Sequence, residues 1–148
     1  LTIRLLAQTI SKHHFSYNGK CELENKLNTI DGKGNSVSVY ECLVPTSSSV
    51  VTAYRVNVIT FKNAITDVAQ YYKSLYSEYT SLGNAANTTL SGNKAVQCTE
   101  DVTIEGHLMK QISVATLYKN KSITIVLLSN DDNYLQLLNS YKQNFHLN

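Results

Sequence analysis

Apolar and polar positions alternate along most of this chain, and two stretches change to a helical period. Phe15, Tyr17, Cys21 and Leu23 fall on alternate positions and predict a half-buried strand over 15–23. Asp31-Gly32 follows, a dipeptide suited to a two-residue type I′ hairpin because both of its central positions need φ > 0. Val37, Val39 and Leu43 then alternate on the return strand. After a Ser/Thr loop at 46–49, a third strand is predicted over 50–61, with Tyr54, Val56 and Val58 on one face and Arg55 and Asn57 on the other. Segments 94–99, 102–118 and 122–129 read as an antiparallel meander that follows a polar loop at 83–92.

The last meander strand is apolar on both faces: Ile123, Ile125 and Leu127 point one way, Val126 and Leu128 the other. Each face must therefore be covered. At about 1.5–3 kcal/mol per buried aliphatic side chain, this strand is the expected centre of the core. The helical stretches supply the cover. Ile65, Val68, Ala69, Tyr72, Leu75, Tyr76 and Tyr79 predict a helix over about 63–82, capped by Asn63, with Asp67 in its first turns and Gly83 closing it. Tyr134, Leu137, Leu138, Tyr141 and Phe145 predict a second helix over about 131–145, capped by Asn130 or Asp131. The acidic pair Asp131-Asp132 suits a helix N-terminus and needs no catalytic duty.

The element order, with Tyr54 to Phe61, a helix carrying Asp67 and Tyr71-Tyr72, Gly92-Asn-Lys-Ala-Val96 and a closing Asn139-Ser-Tyr-Lys142, resembles the PsbP-like family. Gly-x-x-Ala and a terminal Ser-Phe-Lys recur there, with Tyr141 standing where the Phe would be; the absence of Trp is a departure. The resemblance implies an α+β fold, a single-domain α/β/α sandwich with a central, mainly antiparallel sheet between the two helices. It also implies a non-enzymatic binding or accessory role, as in the family's exported bacterial and Ran-binding relatives.

Composition narrows the function further. With 148 residues, 43% hydrophobic and 16% charged, the chain suits one globular domain over 15–148. Residues 1–14 read as a leader or signal-peptide remnant with the start of the mature chain, Ala7 offering a cleavage point before Gln8. A net charge of +2, with scattered basic residues, gives no field for nucleic acid. No stretch approaches the roughly 20 apolar residues of a membrane span. Ten Tyr without Trp suit a sheet with amphipathic surfaces.

The candidate chemistry is sparse. If Asp31-Gly32 is a two-residue hairpin tip, Cys21 faces Cys42, close enough for a disulfide in an oxidising compartment; the alternative is two small buried thiols in a reducing one. Cys98 alternates with Val96 and reads as a buried free thiol. Adjacent His13 and His14 on extended chain point to opposite sides and cannot share a metal. A Cys98–His107 dyad rests on composition alone, and Glu100, Asp101 and Glu105 read as solvated charges. Asn87-Thr-Thr89 and Asn120-Lys-Ser122 match the glycosylation acceptor pattern. Tyr71 lies off the helical stripe and reads as exposed.

These features predict a secreted or periplasmic, non-catalytic binding or accessory domain, monomeric or weakly dimeric, with a protein or small-molecule partner and no cofactor, metal or catalytic residue nominated. A cytoplasmic location is the alternative. The alternative function is a small hydrolase or isomerase, which requires a pocket of several hundred cubic ångströms between sheet and helix. A cleft lined by His107 and a carboxylate would oppose the non-catalytic reading. A third possibility is a subunit that dimerises through the tyrosines of the first helix.

Overall fold

A computed structural model describes residues 7–45 and 49–148. Residues 1–6 of the segment expected to hold a leader remnant, and most of the Ser/Thr loop, lie outside the described residues. Ten strands and two helices form among those described: β1 (Gln8–Ile10), β2 (Phe15–Tyr17), β3 (Glu24–Ile30), β4 (Ser36–Pro45), β5 (Val51–Thr60), α1 (Val68–Leu82), β6 (Asn84–Leu90), β7 (Asn93–Ile104), β8 (His107–Tyr118), β9 (Lys121–Ser129), α2 (Tyr134–Asn144) and β10 (Phe145–Leu147). The large sheet runs β3-β4-β5-β9-β8-β7-β6, and a small sheet runs β1-β2-β10. All strand pairs are antiparallel.

β9, the doubly apolar strand, is the middle strand of the large sheet. Ile125 is fully buried on one face and Val126 is 7% exposed on the other. On the Ile125 face, Val56, Val58, Ile112, Val114 and Leu127 pack against Phe15, Leu138, Tyr141 and Phe145. On the Val126 face, Val96, Cys98 and Ala115 pack beneath Tyr72 and Tyr79 of α1.

The expected α/β/α sandwich is not what forms. The protein is mostly β, and neither helix makes a complete layer. α2 has 11 residues, too few to roof seven strands; the small sheet, closed by the C-terminal β10, shares that face with it. α1 lies over β6 and β7. The segment 83–92, expected as a loop, is largely the edge strand β6, because its polar side chains sit on a ladder that needs only backbone groups. The strand expected over 15–23 stops at Tyr17 and joins the small sheet.

The helix starts also shift. Asp67, not Asn63, caps α1, accepting the Gln70 N–H at 3.0 Å. At the other end Gly83 passes so close to the Thr99 carbonyl that a Cβ would collide with it. Asn133 caps α2. Asn130 instead accepts the Val51 N–H at 2.9 Å, and Asp131 accepts that of Asn133 at 2.9 Å. The passage from β9 into α2 is thus held by side chains that satisfy backbone donors, which is structural work.

Candidate functional site

The placement of α1 leaves a groove. The helix covers β6 and β7, so the same face of β5 and β9 lies beside it rather than beneath it. The resulting depression has a volume of about 980 Å³. Ile59, Ser122 and Thr124 floor it, and Tyr71, Leu75 and Tyr79 of α1 form one wall. The opposite rim is the β3–β4 loop with Asp31 and Lys33.

The rim is prearranged by local hydrogen bonds. The expected two-residue hairpin is instead a longer loop from Asp31 to Asn35. Asp31 accepts the N–H groups of Lys33 and Asn35, each at 2.9 Å, which holds its carboxyl below the usual range, the Asn35 backbone bond being the main cause. Gly34, at φ +83°, supplies the left-handed turn this loop needs. Asn35 then accepts the Lys62 N–H at 3.1 Å, tying the loop to the segment that leads to α1.

Tyr71, expected to be exposed, belongs to this wall. Its hydroxyl lies 2.7 Å from the Ser122 hydroxyl, and its ring stands nearly perpendicular to those of Phe61 and Tyr72. Tyr72 donates to the Lys94 carbonyl and accepts the Leu117 N–H, so it pins the end of the β7–β8 ladder. Burial raises the pKa of Tyr71 and Tyr79. Neither phenol is poised to act as a base near neutrality. Tyr71, Tyr72 and Tyr79 are turned onto the sheet, and Tyr76 stands out, 38% exposed.

The residues nominated from sequence lie elsewhere. Cys21 and Cys42 are joined in a disulfide, their Cα atoms 5.9 Å apart. The register that suggested the pair does not occur: β3 begins only at Glu24, the ladder shifts between Asn25 and Leu27, and Cys21 lies in the bend before it. Cys98 is a buried free thiol that donates to the Tyr79 carbonyl at 3.4 Å, and burial raises its pKa. Asp101 pairs with Lys110, and Glu100 accepts from Gln111. His13 ends a one-turn 3-10 segment, Ser11–His13, rather than lying on extended chain, and is buried; His14 follows it at a left-handed φ of 62°.

His107 and Glu105 do share a second depression, of about 340 Å³, with Leu43, Val51, Ala53, Ile104, Met109 and Leu128. Both side chains are solvent-exposed and the remaining lining is mainly apolar, so this is not a polar cleft. Sequence reasoning missed the groove because its lining comes from three stretches far apart in the chain, 31–35, 59–79 and 122–124. The one local signal was the Phe61 to Asp67 stretch, whose apolar Phe61 and Ile65 precede the helix.

The PsbP-like motifs turn out to be packing residues. Gly92, at φ +79°, makes the β6–β7 turn. Tyr141 is buried and donates to the Arg55 carbonyl at 2.6 Å, and Lys142 donates to Thr88 at 2.9 Å. Among the described residues, no helix is long and apolar enough to cross a membrane. The sequence matches no protein-family model, that of the PsbP-like family included, and no curated protein. Among solved structures it is similar to LpqN, described as involved in cell envelope biogenesis of Mycobacterium tuberculosis. The two share 15% identity over 86% of this chain and 92% of that chain, with a TM-score of 0.41, a likeness too slight to bear on activity.

Proposed function

We propose that this protein is an exported, non-catalytic binding or accessory domain whose ligand lies in the groove beside α1. The observation that carries the reading is the groove itself. It joins a wall of Tyr71, Leu75 and Tyr79 and a mixed floor of Ile59, Ser122 and Thr124 to a rim fixed by local hydrogen bonds, an arrangement that holds a ligand without rearrangement. The Cys21–Cys42 bond supports export, since such bonds persist in oxidising compartments.

The groove has the volume that a hydrolase or isomerase would need, but its two tyrosines are held protonated by burial and, of its three carboxylates, Asp31 and Asp67 are committed to backbone donors. The chemistry of the lining therefore favours binding over turnover.

Titration with Nile red, a neutral solvatochromic dye, tests this reading. Wild-type protein should show saturable 1:1 enhancement, and Ile65→Asn should weaken it with an unchanged far-UV spectrum. Absence of saturable binding to the wild type would overturn the groove as a ligand site.

A further inference from the structure

We infer that the groove selects an organic cation with an apolar body, of the arylammonium or alkylammonium class; this rests on the groove being the binding site. The first support is charge. The lining carries Asp31, Asp67 and Glu78 against Lys33 alone, which is three negative charges and one positive, a local −2. The whole chain carries +2, so the groove is opposite in sign to its protein.

The second support is that none of these carboxylates is in an ion pair among the described residues; Lys33 is the cation whose charge acts on Asp31. The ion pairs among the described residues are Lys26–Glu24, Arg55–Glu41 and Lys110–Asp101. Asp31 and Asp67 are committed to backbone donors of the loop and the helix start. The Glu78 carboxylate accepts no hydrogen bond among the described residues, and it sits close enough to Tyr71 and Tyr79 for its charge to act on both phenols.

The third support is the aromatic corner. Phe61 and Tyr71, both in the groove lining, meet at 79° with centroids 6.3 Å apart, which brings two aromatic rings together there. A ring face attracts a cation, most strongly one with a thin hydration shell. The same chemistry is already in use next door, where the Lys94 ammonium lies 4.9 Å from the centre of the Tyr72 ring. An apolar ammonium ion would pair with the Glu78 carboxylate while its hydrocarbon body lay against Ile59, Leu75 and the aromatic rings. An anion would meet repulsion, and a neutral molecule would leave Glu78 unpaired.

The test is a titration of ¹⁵N-labelled full chain with benzyltrimethylammonium, benzyl alcohol and benzylsulfonate at low ionic strength, followed by amide shifts. The cation should move amides of Phe61, residues 70–79, Ser122 and Thr124, and should bind about tenfold more tightly than the alcohol, a difference of about 1.4 kcal/mol. The sulfonate should bind more weakly than either. Glu78→Gln, at an exposed helix position, should cut the cation's affinity severalfold and leave the alcohol's unchanged. Equal binding of alcohol and cation in the groove would overturn the cation assignment and leave the site standing. So would an unaltered cation affinity in Glu78→Gln. If no probe moved a groove amide, and Nile red did not bind, the site itself would fall with the assignment.

Discussion

His13 should make this protein sensitive to acid in a way that can be isolated. The imidazole is 2% exposed and neither ring nitrogen has a hydrogen-bond partner. The Tyr40 ring packs against its edge at 5.9 Å. Burial, followed by the charges of Lys121, Lys12 and His14, lowers its pKa from 6.5 to about 4. The folded state therefore refuses a proton that the unfolded chain accepts. Stability is fully present above pH 6.5 and is lost as pH falls toward 4, at about 1.4 kcal/mol per pH unit. Urea unfolding of wild type and His13→Leu at pH 7.5, 6.5, 5.5 and 4.5 separates this effect from the carboxylates, which titrate alike in both proteins. The leucine variant should gain on wild type by about 2.5 kcal/mol between pH 7.5 and 4.5. A difference that stayed constant across that range, or a His13 ring proton titrating near 6.5 by NMR, would refute the reasoning.

Further tests address the core, the disulfide and the caps. Ile125→Ala, at a fully buried position in the middle strand, should cost about 2–5 kcal/mol in chemical denaturation. Thiol titration of unreduced, denatured protein should find one reactive group, Cys98, because Cys21 and Cys42 are bonded; three would place the protein in a reducing state and remove the argument for export. Replacing both bonded cysteines by serine should lower stability by about 3 kcal/mol, as expected for a closed loop of 21 residues. Asp67→Ala removes the side chain that caps α1 and should cost about 1 kcal/mol, read as a lower Tm.

Local pattern was enough to place both helices, the strands β4 and β5 and the strand at the centre of the core, while the turn between β7 and β8 falls at Glu105-Gly106 rather than before Val102. Alternation reports which side chains share a face, and Ile123 to Leu128 on two apolar faces could only be a covered strand. The same pattern is silent about what does the covering. A buried apolar face looks identical in sequence whether a helix or a second sheet packs on it, and that is why a sandwich of helices was expected where β1, β2 and β10 take part of the role. Polar edge strands such as β6 escape notice for a related reason: an edge is held by backbone hydrogen bonds, which leave no hydrophobic signature.

The chain by itself therefore determined the strand-rich character of the protein, the helix stripes containing Tyr72, Tyr79, Leu138 and Tyr141, and the presence of cysteines able to pair. Tertiary structure decided that Cys21 reaches Cys42 through a bend rather than along a ladder. It also decided that Tyr71 turns inward to Ser122, and that α1 sits to one side of the sheet and leaves Glu78 beside an aromatic groove. Those outcomes depend on how far a helix of fixed length extends across a wider sheet, a quantity that arises only when segments distant in the chain meet.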